Sequence, residues 1–245
     1  MPASSPASTL DEINLRFVRG RPSNSLADAG VVVRQRDAMT RWRSKVSDLW
    51  SVGDWDRLAA SVVSAKLPFM YSTSGEGVVL RPEKLEGGLL CCYPKDANSM
   101  GQLCEEGSGK YAASELADML KAHSDPFFLL RDDDSCLWKD GHENRVDRSN
   151  CRYNELVLSG AVYTSALPAV IQAFFYPVNG PVHHREGDSD RAKKAHQLFL
   201  GNFPEASAVP LLTYDVALAR AGEAPFRLEG AAARSVWTQP VPFRG

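Results

Sequence analysis

The sequence predicts a single mixed α+β domain with largely antiparallel strands and peripheral helices. Two observations carry that reading. Strand-like and helix-like segments interleave without the regular βαβ rhythm of a parallel sheet. The clearest amphipathic helices, Ala112–His123 and Arg191–Leu200, stand apart from the strongest strand signals, Glu155–Leu158 and Val170–Tyr176. The length of 245 residues suits one larger domain, and a content of 44% hydrophobic and 24% charged residues is that of an ordinary soluble globular chain. The expected organisation is a flexible arm over residues 1–12, a domain over 13–218 and a loosely specified tail over 219–245.

Residues 1–12 are rich in Ala, Ser and Pro, a composition expected of a loose arm. Leu15-Arg16-Phe17-Val18-Arg19 alternates as a half-buried strand would, and Gly20-Arg21-Pro22 ends it. Ser23 can cap a helix over Asn24–Ala29 that Gly30 stops, and Val31-Val32-Val33 follows as an apolar run. Met39–Ala65 places Trp42, Val46, Leu49, Trp50, Trp55, Leu58, Ala59 and Val62 at helical spacings broken at Gly53, which predicts two short helices with tryptophans as core anchors. Phe69–Thr73, Gly77–Leu80 and Leu89–Tyr93 read as strands. Leu116, Met119 and Leu120 form the apolar stripe of the Ala112–His123 helix, and the charged stretch 132–150 reads as a surface insertion. Val209–Tyr214 is a late strand.

A net charge of −2 argues against a general electrostatic grip on nucleic acid or an anionic membrane. The N-terminus lacks the apolar run of a signal peptide and no segment approaches a membrane span, so the chain reads as soluble, either cytoplasmic or the mature form of a secreted protein. The five cysteines, Cys91, Cys92, Cys104, Cys136 and Cys151, lack zinc-site CxxC spacing. Reduced thiols and one or two bridges both fit. The short closures would be Cys136–Cys151 and one of Cys91/Cys92 with Cys104.

Three segments carry candidate chemistry: Phe17-Val18-Arg19-Gly20, Tyr71-Ser72-Thr73-Ser74 and Cys151-Arg152-Tyr153-Asn154-Glu155-Leu156-Val157-Leu158. A forked, permanently charged guanidinium suits a pyrophosphate, and a fixed carboxylate can stabilise positive charge developing on a sugar carbon. In this order the segments resemble the mono-ADP-ribosyltransferase superfamily, and the continuation from Arg21-Pro22 to Gly30 resembles its pierisin-like members. The resemblance implies NAD as substrate, with Arg19, Ser72 and Ser74 binding it and Glu155 as the catalytic residue. Arg16 and Arg21 are neighbouring alternatives for the arginine. Tyr153 falls where that family selects its acceptor, so the acceptor stays open between protein and nucleic acid; a membrane partner is not expected.

Two other readings compete. Phe127–Leu130 followed by Asp132-Asp133-Asp134 resembles the acidic run with which nucleotide-sugar glycosyltransferases hold a divalent cation against a diphosphate. The mid-chain cysteines and aromatic content fit a non-enzymatic, secreted binding module with internal disulfides. His183-His184 point to opposite faces if extended and read as a loop, so no metal set is assigned. A nucleophile elbow, a P-loop and a full Rossmann fingerprint are all missing from the sequence.

Overall fold

The structure is a computed structural model that describes residues 5–35, 50, 57–67, 76–93, 104, 111–123, 154–179 and 188–230. Among the described residues, nine strands form one sheet in the order β5-β4-β6-β2-β1-β3-β7-β8-β9. The strands are β1 (Val31–Gln35), β2 (Arg57–Val63), β3 (Gly77–Leu80), β4 (Leu89–Tyr93), β5 (Tyr111–Ala112), β6 (Glu155–Ser159), β7 (Ile171–Val178), β8 (Leu211–Asp215) and β9 (Phe226–Leu228). Among the described strands, only β7 and β8 run parallel, and α5 (Asp188–Asn202) supplies the crossover that a parallel pair needs. The remaining helices are α1 (Pro6–Arg19), α2 (Leu26–Ala29), α3 (Leu116–His123), α4 (Gly160–Ala166) and α6 (Val216–Arg220). The mixed, largely antiparallel α+β architecture is therefore the one the sequence predicts.

Strand alternation separates two cores. Val32, Leu58, Ala60, Val62, Leu156, Leu158 and Phe174 face α2, α3, α4 and α5. Val31, Val33, Val63, Val79, Ala173 and Phe175 face α1 and α6, together with Ile13, Phe17, Val216 and Ala219. Trp50 packs edge-on against Phe174 and Phe199, with ring centroids 6.1 and 5.6 Å apart, and so serves as the core anchor expected of it. Trp42 and Trp55 lie outside the described residues, as do Phe69–Thr73 and the 132–150 insertion.

Three local expectations are corrected. Leu15–Arg19 is the end of α1, not a strand, and α1 begins inside the expected arm. Ser5 accepts a hydrogen bond from the Ser8 amide, Pro6 occupies the first turn, and Thr9, Ile13 and Phe17 repeat every four residues on the buried side. That longer repeat outweighs the two-residue alternation within Leu15–Arg19. Arg57–Val63 is a strand rather than part of a helix, because Leu58, Ala60 and Val62 also satisfy period two and β-branched Val62-Val63 favour the pleat. The expected loose tail contains β9. The Asn14 side chain of α1 both donates to the Phe226 carbonyl and accepts from its amide, each at 3.0 Å, a long-range clamp that local sequence does not reveal.

The two glycines around α2 allow close approach. A Cβ on Gly20 would lie 2.6 Å from the Ser64 Cβ, so only glycine lets the end of α1 sit on the end of β2. Gly30 has φ of 151°, a conformation that favours glycine, and a Cβ there would lie 2.4 Å from the Val63 carbonyl oxygen.

Of the two bridging options for Cys104, the structure contains Cys91–Cys104, with Cα atoms 6.1 Å apart. Adjacent strand residues face opposite ways, so Cys91 points toward Cys104 while Cys92 points into the other core. Burial, then the charge of Glu115, pushes the Cys92 thiol up to about 12, and it contacts the Ala112 carbonyl. The expected Cys136–Cys151 bridge falls outside the described residues.

A carboxylate at the β9 end couples stability to pH. Burial raises Glu229, but the Tyr176 hydroxyl, which donates to it, and Lys193, 3.0 Å away, together outweigh burial and hold it below its ordinary 4.5. A depressed folded value gives stability that is complete above the unfolded pKa and is lost as pH falls through the folded one. Glu229→Gln is therefore expected to flatten the decline in melting temperature below pH 4.5 relative to wild type. Parallel acid limbs in the two melting curves would refute the coupling.

Candidate functional site

The first residue of β6 is Glu155, and its backbone is held in place before its side chain is considered. Asn154, itself buried, uses its carbonyl to accept from the Val62 amide at 3.2 Å, while its side-chain amide donates to the Val62 carbonyl at 3.3 Å. This two-point hold sets the register of β6 on β2. Glu155 then lies opposite Ser61 on one side and Tyr93 of β4 on the other. Alternation puts all three on the α1 face of the sheet, with Arg57, Val157 and the Cys91–Cys104 bridge further along it. Glu155 is 5% exposed, Ser61 4% and Tyr93 0%. Glu155 is thus one of the few charged side chains buried among the described residues, at the start of a strand that is otherwise apolar up to Ser159.

The Tyr93 hydroxyl has no hydrogen-bond partner among the described residues. Burial raises its pKa, the negative charge of Glu155 raises it further, and Arg57 opposes them. The group therefore keeps its proton at neutral pH and is available as a donor.

Arg19 closes α1 and is exposed. Its end of α1 meets the chain just beyond β2: the Phe17 carbonyl accepts from the Ala65 amide at 2.9 Å, and Gly20 abuts Ser64. Ser64 lies three residues beyond Ser61, a rise of about 10 Å along a strand. The guanidinium is thus carried by a helix end rather than a strand end. Of its neighbours, Arg16 is the more enclosed one, bound to Glu12 and, at 3.1 Å, to Gln172. Gln172 projects from a register shift between β7 and β3, an irregularity of the kind that re-aims side chains. Arg21 is largely exposed and lies 4.0 Å from Asp28.

Ser72, Ser74 and Tyr153 lie outside the described residues, and so do the Asp132–Asp134 run and His183-His184. The described chain resumes at Glu76, at the opposite end of the sheet from Glu155, where Glu76 is paired with Arg191 at 3.2 Å. The serine set against Glu155 among the described residues is Ser61. Sequence reading missed Ser61 and Tyr93 because neither belongs to a local motif and cross-strand pairing alone sets them beside Glu155; it assigned no role to Asn154, whose hold on Val62 is a long-range contact. Among the described residues, no group of three or more His, Cys, Asp or Glu could hold a metal ion, and no helix is long and apolar enough to cross a membrane.

No family model, curated protein or solved structure matches the chain.

Proposed function

We propose that the chain transfers ADP-ribose from NAD, or hydrolyses NAD at the same bond, with Glu155 as the catalytic carboxylate. The observation that carries this reading is the placement of Glu155: an enclosed carboxylate at a strand start, held in register by Asn154 and flanked by Ser61 and Tyr93. In the reaction the bond between the ribose anomeric carbon and the nicotinamide nitrogen breaks. Nicotinamide leaves with the bonding electron pair as a neutral molecule, and the ribosyl group passes through an oxocarbenium-like state. Glu155 stabilises the positive charge and orients the sugar through a hydroxyl. An acceptor oxygen or nitrogen, or water, then bonds to the anomeric carbon and loses its proton.

The role of Arg19 in this reading is the pyrophosphate. Its exposed position on a helix end leaves it able to fold over a ligand, and its fork matches two phosphate oxygens. Ser72 and Ser74 keep the cofactor-binding role, and Tyr153 that of acceptor selection, on the strength of the sequence resemblance. Calorimetric titration of the wild-type chain with NAD, paired with a nicotinamide-release assay, tests the proposal. Binding in the micromolar to millimolar range with measurable release is the expected result; absence of both would end it. The Cys91–Cys104 disulfide favours a second reading, a binding module of the disulfide-bearing type, and an NAD-inert protein would leave that reading standing.

A further inference from the structure

We infer that Tyr93 is a second ligand-holding residue of the Glu155 site, its hydroxyl donating to the sugar oxygen beside the one that Glu155 holds. The inference rests on the proposed NAD reaction and deepens it. Tyr93 is fully buried and its hydroxyl is without a hydrogen-bond partner among the described residues. A buried hydroxyl left unpaired is disfavoured, and its presence in a sheet interior points to a partner that the described residues do not supply. The antiparallel register places Tyr93 directly opposite Glu155 on the same face, where cross-strand Cβ atoms are about 5 Å apart.

The pair is chemically complementary. An ionised carboxylate only accepts hydrogen bonds, whereas a protonated phenol donates. One acceptor beside one donor fits two adjacent hydroxyls of a ribosyl group: the first donates to Glu155 and the second accepts from Tyr93. Two neighbouring contacts fix the rotation of the sugar about its own axis, which a single contact to Glu155 does not. Tyr93 is thereby a binding and positioning group, with no covalent step assigned to it.

The test compares wild type with Tyr93→Phe, which keeps the ring and removes only the hydroxyl. The probes are NAD and two analogues, each lacking one hydroxyl of the nicotinamide ribose. The expected result is a loss of NAD affinity of about 10-fold in Tyr93→Phe, the size of one ligand hydrogen bond. The same substitution should leave the affinity for one of the two analogues unchanged, because that analogue lacks the partner oxygen. Thermal melting of the variant should match or exceed wild type, since an unpaired buried hydroxyl contributes nothing to the empty fold. Equal NAD affinity in the two proteins would overturn the role of Tyr93 and leave the Glu155 reading intact. A lowered melting temperature would also overturn it, by revealing a structural partner for the hydroxyl. Wild-type protein that binds no NAD would instead refute the underlying reaction.

Discussion

Glu155→Gln is expected to cut nicotinamide release by about 10²-fold or more while leaving NAD affinity near that of wild type. The substitution is nearly isosteric, so the neighbours Ser61 and Tyr93 keep their positions, and Asn154 still fixes the start of β6. In the proposed reaction, what is lost is negative charge at the point where positive charge develops. An interaction made mainly in the transition state lowers turnover without altering ground-state binding. Arg19→Ala should divide the other way. A pyrophosphate is held alike in ground and transition states, so weaker NAD binding accounts for most of its loss. Calorimetry and single-turnover release measured on both variants separate the two roles. Equal binding defects in the two would leave an NAD site but refute this division of labour, and a Glu155→Gln enzyme as fast as wild type would remove Glu155 from the chemistry.

The parts of the fold legible in the sequence are those whose local period agrees with their final environment. The α3 stripe of Leu116, Met119 and Leu120 is helical in either view, and the apolar run Leu156–Leu158 forms the buried strand β6 that its composition suggests. Misreading arose where two periods coexist. In α1 the segment Leu15–Arg19 supports a strand by itself, and only the longer series Thr9, Ile13, Phe17 together with the Ser5-Pro6 cap identifies a helix. In β2, Leu58 and Val62 are four apart and fit a helix as well as a strand, and pairing with β1 and β6 decides between them.

The candidate site shows in the sequence only as one unusual residue. A glutamate opening an apolar strand is visible in the sequence, and Glu155 is indeed enclosed at a strand start. Its neighbours Ser61 and Tyr93 are 94 and 62 residues away, set beside it by registers that no local pattern encodes. Arg19 illustrates the same limit. Read as a strand end, it is instead the last residue of a helix whose end abuts Ser64, a contact that local sequence does not reveal.

Phe174→Ala is expected to destabilise the fold by about 3–5 kcal/mol, the cost of removing a large aromatic ring from a packed core. Phe174 is fully buried at the middle of β7, and its ring lies 5.2 Å from Phe199, 5.3 Å from His196 and 6.1 Å from Trp50, centroid to centroid. These partners come from α5 and from Trp50, so they cannot all collapse inward to fill the space, and a residual cavity adds to the lost transfer energy. His196 supplies an internal reporter. Burial lowers its pKa, partly offset by the hydrogen bond that its Nε2–H donates to the Val209 carbonyl at 2.8 Å. A depressed histidine gives stability that is complete above its unfolded pKa and lost as pH falls through the folded value. In Phe174→Ala, water entering beside the imidazole should relieve part of that desolvation and move the His196 pKa back up toward 6.5. Denaturant unfolding at neutral pH with an unchanged m-value, together with NMR titration of His196, checks both effects. A loss below about 1 kcal/mol would show that the core repacks around the missing ring, and an unshifted His196 would show that the imidazole stays dry.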